Sequence, residues 1–171
     1  LATAQGTVKR VQADYPAKEQ FELIALKEGD RVVSAVLANE AKEYVIVTSD
    51  TQVLRFAADS VRAQGRAASG IAGINLGDGA KVIAFGAVTN PEEAFVVTAA
   101  NSSGALAGTD AGSIKLSQLD EFPAKGRATG GVRGQKLLRG EDQLYFAAVA
   151  ILAPAASASD GKPLELPEPA K

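Results

Sequence analysis

Gly65-Arg66-Ala67-Ala68-Ser69-Gly70-Ile71-Ala72-Gly73 is answered further along the chain by Gly126-Arg127-Ala128-Thr129-Gly130-Gly131-Val132-Arg133-Gly134. Glycine holds the first, sixth and ninth places in both, and arginine the second. A match of this kind signals an internal repeat, and a missed repeat mis-states the whole fold. The correspondence extends outward. Before the loops, Val53-Leu54-Arg55 aligns with Ile114-Lys115-Leu116 and with Val8-Lys9-Arg10 near the start. Ahead of these stand Leu1-Ala2-Thr3, Ile46-Val47-Thr48 and Val96-Val97-Thr98. After the loops, the copies rejoin at Ile24-Ala25-Leu26, Ile74-Asn75-Leu76 and Gln135-Lys136-Leu137. Each copy ends in a turn and an apolar run: Val32 to Leu37, Val82 to Val88, and Leu144 to Leu152. The first copy lacks the glycine loop and has Pro16-Ala17-Lys18-Glu19-Gln20-Phe21 in its place.

The unit therefore reads strand, turn, strand, glycine loop, strand, turn, strand. Tyr44-Val45-Ile46-Val47-Thr48 and Ala94-Phe95-Val96-Val97-Thr98 are short, β-branched and turn-bounded, which predicts buried strands, and no helical period persists. The expected fold is all-β, in propeller-like blades of four antiparallel strands and roughly 50 residues each. Such blades cannot bury their own apolar faces and must pack on one another. About three are present, in residues 1–38, 39–88 and 89–152. Asn101 to Gly112 reads as a flexible inserted loop. Residues 153–171, rich in Pro, Ala and acid, read as a disordered tail.

Composition removes several classes of function. The chain of 171 residues has no Cys and no His. Disulfides, thiol chemistry and the usual zinc ligands are excluded, along with the commonest general base at neutral pH. Glu92-Glu93 and Glu141-Asp142 fall in predicted turns and read as solvated carboxylates. The glycine spacing of Gly126 to Gly134 lacks the strand-to-helix context of a nucleotide fingerprint. No apolar run approaches the roughly 20 residues of a membrane span, and no signal peptide is visible. These absences point to a cytoplasmic protein with no catalytic residue, metal or cofactor in this segment. With no Met and Leu1 already within a predicted strand, the chain reads as a piece of a longer polypeptide.

The net charge is −2, which by itself argues against a nucleic-acid partner, but the position of charge matters more than its sum. From Phe122 to Gly140 stand Lys125, Arg127, Arg133, Lys136 and Arg139 with no acid between them. The matching stretch of the second copy carries Arg62 and Arg66, with no acid until Asp78. Stacked blades would bring these loops to one rim, suited to a phosphate backbone. Glycines there would let backbone N–H groups approach it closely. Lys9, Arg10, Arg55 and Lys115 lie on the second strands. Lys9, Arg55 and Lys115 read equally as phosphate contacts or as solvated charges guarding a sheet edge.

Val53-Leu54-Arg55-Phe56, Val61-Arg62, Gly65-Arg66, Gly70-Ile71-Ala72-Gly73 and Leu76 together resemble the repeat in the C-terminal domain of DNA gyrase and topoisomerase IV A subunits. Ile114 to Leu137 repeats the pattern, and Gly6-Thr7-Val8-Lys9-Arg10 is similar to the family's Gly-x-Val-Lys-Arg strand. The resemblance covers residues 1–152. It implies a β-pinwheel whose blades exchange strands, of which this chain would hold part of a larger ring. It also implies a domain that bends duplex DNA around a basic rim for an ATP-dependent type II topoisomerase. The partners would be double-stranded DNA, the ATPase B subunit and the rest of the A subunit, in the bacterial nucleoid. The family's catalytic tyrosine follows an arginine. Tyr15, Tyr44 and Tyr145 follow Asp14, Glu43 and Leu144, so none matches. The Gln-Arg-Arg-Gly-Gly-Lys-Gly box of gyrase is absent, so either it lies upstream of Leu1 or the parent is topoisomerase IV-like, and the glycine loop missing from the first copy favours the second. The alternative reading is a propeller-type scaffold that uses the same rim for an acidic protein.

Overall fold

The computed structural model describes residues 1–106, 112–157 and 160–169. The first repeat supplies β1 (Ala2–Thr3), β2 (Thr7–Val8), β3 (Arg10–Val11) and β4 (Val32–Ser34). The second supplies β5 (Glu43–Thr48), β6 (Gln52–Ala57), β7 (Ala63–Gln64), β8 (Ile71–Ala72) and β9 (Val82–Val88). The third supplies β10 (Phe95–Asn101), β11 (Ser113–Gln118), β12 (Val132–Arg133) and β13 (Gln143–Ala150). Helical structure among the described residues is confined to single 3-10 turns at Ala58–Ser60, Pro91–Glu93 and Leu119–Glu121.

The described residues form an all-β array whose three larger sheets do not coincide with its repeats. The strand orders are β4-β1-β2-β8, β9-β5-β6-β12 and β13-β10-β11, with antiparallel neighbours throughout. β8 belongs to the second repeat but completes the first sheet, and β12 of the third repeat completes the second. Successive sheets are therefore stitched by exchanged strands. Two further hydrogen bonds repeat in register between repeats: Val82 N–H donates to Ala4 O at 3.0 Å, and Leu144 N–H to Ser49 O at 2.8 Å.

The first strand of each repeat carries an irregularity at one place, between Ala2 and Thr3, Val47 and Thr48, and Ala99 and Ala100. This corrects the alignment of the third copy. Val47 pairs with Val53 and Ala99 with Ile114, so Ala100, not Thr98, is the counterpart of Thr48. A slip of two residues keeps every side chain on its proper face, so alternation alone does not reveal it.

From Tyr44 to Val47, β5 is apolar without a break because water reaches neither face. Tyr44 and Ile46 enter one core with Val8, Leu54, Phe56, Ile74 and Phe85. Val45 and Val47 enter a second with Val53, Val96, Leu119, Phe122 and Leu144. Each such fully buried aliphatic side chain stabilises the fold by about 1.5–3 kcal/mol. β9 packs on both β4 and β13. At its crossing with β13, a Cβ on Gly86 would stand 2.6 Å from that of Val149, which requires glycine there. The outer face of the third sheet is open, with Ile114 and Phe146 exposed.

Residues 102–106 turn on an Ala105 N–H to Ser102 O bond of 3.1 Å; 107–111 of the expected loop lie outside the described residues. In the stretch read as a disordered tail, β14 (Ala156–Ser157) pairs with β15 (Pro163–Leu164) as a short hairpin.

Candidate nucleic-acid interface

Each glycine loop is a clasp around the second strand of the preceding repeat. The first clasp enters parallel to that strand, with Arg10 opposite Ala63 and Val11 opposite Gln64. It turns on an Ala68 N–H to Gly65 O bond of 3.2 Å. It returns antiparallel, with Val8 opposite Ile71 and Thr7 opposite Ala72. The second repeats this course: Ala124 bridges Arg55 in parallel, and Val132 and Arg133 return opposite Val53 and Gln52.

The glycines serve this embrace. Gly70 has φ +86°, and a Cβ there would lie 2.7 Å from the carbonyl oxygen of Val8. A Cβ on Gly73 would meet Val8 Cγ1 at 2.6 Å, and one on Gly134 would meet Val53 Cγ2 at 2.6 Å. The N–H groups of Gly73 and Gly134 donate inward, to Gly6 O and Thr51 O, each at 2.7 Å. Close approach is needed, as the sequence suggested, but at these positions the approaching partner is the neighbouring strand.

The two clasps touch. Ala128 N–H donates to Gly73 O at 2.8 Å, and Asn75 N–H to Thr129 O at 3.0 Å. The Arg127 guanidinium donates to Ala72 O. The second clasp thus sits against the segment that leaves the first, and the basic loops of successive repeats are neighbours.

The eleven candidate cations fall into three groups. Arg62, Lys125, Arg133, Lys136 and Arg139 are exposed. Arg10, Arg55, Arg66, Lys115 and Arg127 are half-buried. Arg66 lies over the Phe21 ring, 5.8 Å from its centroid. Arg55 pairs with Glu43 at 3.1 Å and donates to Leu119 O at 2.9 Å. The ammonium of Lys115 donates to Gly134 O at 2.8 Å, and that of Lys125 to Gly130 O at 2.7 Å.

Lys9 stands apart at 2% exposure. Its ammonium donates to the carbonyls of Leu23, Arg66 and Ala68 at 2.7, 2.6 and 2.5 Å. Burial lowers its pKa from the ordinary lysine value. Neither the edge guard nor the phosphate contact describes this geometry, because the charged head points into the protein. Its signal in the sequence was the recurrence of lysine at the same repeat position, Lys9 and Lys115. Likewise, nothing local marked Glu43 as the partner of Arg55.

Among the described residues the ion pairs are Arg55–Glu43 and Lys162–Asp160. No carboxylate among the described residues lies within ion-pair distance of the remaining loop cations. The acids of the turns bind backbone instead: Asp30 accepts from Gln5 N–H at 2.9 Å, and Asp142 from Ser103 N–H at 2.8 Å. The loops therefore keep a positive field of their own on an acidic chain, with donors free for an anionic polymer.

The family model described as DNA gyrase C-terminal domain, beta-propeller, matches residues 22–39, 42–89 and 105–149, well over half of the chain. The DNA gyrase A subunit of Pseudomonas aeruginosa is 34% identical over 135 residues, which are 77% of this chain and 13% of that protein. Its Escherichia coli counterpart is 31% identical over 135 residues, 14% of its length. The chain thus spans about a seventh of the curated relatives it matches. A crystal structure of the C-terminal domain of DNA topoisomerase IV superposes with a TM-score of 0.73 at 25% identity, covering 87% of this chain and 45% of that one. The DNA gyrase A C-terminal domain superposes at 0.50 and 17% identity, over 88% of this chain and 64% of that one.

Proposed function

The chain belongs to the DNA gyrase C-terminal domain family, and on that footing we propose that it binds and bends duplex DNA through the phosphate backbone. The observation that carries this reading is the contact between successive basic clasps, Arg127 on Ala72 O and Ala128 N–H on Gly73 O. That contact sets the two loops side by side, and on it we read Arg62, Arg66, Lys125, Arg127, Arg133, Lys136 and Arg139 as one cationic track. Contacts to phosphates carry little sequence information, so the track suits a domain that holds DNA of any sequence.

The chemistry of strand passage would reside elsewhere, in an ATPase B subunit together with the rest of the parent A subunit, the assembly lying in the bacterial cytoplasm on the nucleoid. The glycine loop missing from the first repeat supports a topoisomerase IV-like parent, whereas the curated relatives quoted above are gyrase subunits; whether a Gln-Arg-Arg-Gly-Gly-Lys-Gly box occurs elsewhere in the parent sequence decides between them.

A mobility shift with random duplex DNA, titrated with salt, tests the proposal. The expected result is a shift at low salt that weakens steeply as salt rises. No shift even at low salt would favour the scaffold reading, in which the same track takes an acidic protein.

A further inference from the structure

We propose that Lys9 is a positioning residue, which pins the first clasp shut from inside and thereby sets where the Arg66 guanidinium stands. The second half rests on the DNA-binding reading above; the first half does not. An ammonium has three N–H donors, and all three of Lys9 are engaged by carbonyls. One belongs to Leu23 of its own repeat and two to Arg66 and Ala68 of the next. The pin thus crosses the junction between repeats. It holds the main chain of the residue whose side chain lies over Phe21, two positions from the Leu23 carbonyl. With its carbonyl and its guanidinium both fixed, Arg66 has little freedom left to lose when a phosphate arrives.

The second clasp is also tied by a lysine, but by an exposed one and at a different carbonyl, the counterpart of Ser69 O. Leu54, fully buried, stands at the place of Lys9 and has no donor to offer. There a lysine comes from the loop instead: Lys125, at the place of Gln64, donates to Gly130 O at 2.7 Å. In the first clasp, Gln64 leaves its side-chain oxygen buried without a hydrogen-bond partner. Each clasp therefore has one lysine on its carbonyls, from the embraced strand in one case and from the embracing loop in the other. Lys115 stands at the Lys9 position of the third repeat. It makes the bond within its own repeat, to Gly134 O, the counterpart of Leu23 O.

The test combines amide hydrogen exchange with duplex binding in the full chain. The variants are Lys9→Leu, Arg66→Ala, the two together, and Lys9→Leu with Gln64→Lys, which moves the second clasp's lysine into the first. Lys9→Leu is expected to speed exchange across residues 65–70 by roughly tenfold or more. It should weaken duplex binding about as much as Arg66→Ala, with no further loss in the combination, as residues acting through one another behave in a double-mutant cycle. Gln64→Lys is expected to restore both exchange and affinity. If Lys9→Leu does not fold, Lys9→Arg takes its place; its planar fork cannot aim three donors at these carbonyls.

Unchanged exchange in residues 65–70 overturns the pin. Faster exchange with full affinity, while Arg66→Ala weakens binding, overturns the positioning role. Additive losses make Lys9 a phosphate contact itself and overturn it too. If no variant alters binding, the DNA reading of this loop fails and the positioning role with it, while exchange still decides the pin.

Discussion

Replacing Arg62, Arg133 and Lys136 together by Gln removes three positive charges from exposed positions. None of the three side chains takes part in the ion pairs among the described residues. Surface changes of this kind alter stability by about 0.5 kcal/mol or less each, so the fold is expected to persist. Each phosphate neutralised contributes about 0.9 to the slope of log affinity against log salt. Three lost contacts should therefore flatten the slope by roughly 2.7. Between 50 and 200 mM salt, the unaltered chain should lose about 40-fold more affinity than the variant. The control replaces Lys42, Lys81 and Lys162, exposed lysines outside the clasps, by Gln. It changes net charge equally and should leave most of the slope intact. Fluorescence anisotropy on a labelled random duplex, across that salt range, reads both. Equal slopes in the two triple variants would refute the clasp track, since net charge alone would then account for binding.

Three other outcomes test the structure. Gly70→Ala forces a side chain into the left-handed region at φ +86° and against Val8 O, and should cost at least ~1–2 kcal/mol in urea unfolding. Gly65→Ala meets nothing within 4 Å and should cost less than about 0.5 kcal/mol; equal costs would count against the clasp. Glu43→Gln leaves the Arg55 guanidinium, 14% exposed, without its counter-charge and should cost about 1–3 kcal/mol by the same measurement. The Ser103 hydroxyl and N–H hold the Asp142 carboxyl below its ordinary pKa of 3.8. A depressed carboxylate pKa stabilises above the ordinary value and stops doing so as pH falls through the folded one. An NMR titration of the Ser103 amide should therefore show a midpoint below 3.8, and a midpoint at or above it would remove this contact.

The repeat was legible because glycine at Gly70 and Gly131, and at Gly73 and Gly134, answers to a close contact that recurs in register. The strands were legible where both faces are buried, as at Val45-Ile46-Val47. The third copy was set two residues out because strand alternation has period two, and only the pairing of Ala99 with Ile114 fixed it. The charges were the hardest part. Basic residues clustered visibly, but lysine reads the same in one dimension whether its head meets water, phosphate or carbonyl oxygen.

From its sequence alone this chain is an all-β array of three repeats, two of them with basic glycine loops, since composition, alternation and spacing are properties of neighbouring residues. The tertiary structure alone decided that each loop embraces the repeat before it, that Lys9 faces inward on three carbonyls, and that Arg127 meets Ala72. The contacts that cross between repeats join residues about 55 to 60 positions apart, and no local pattern states which of them will meet.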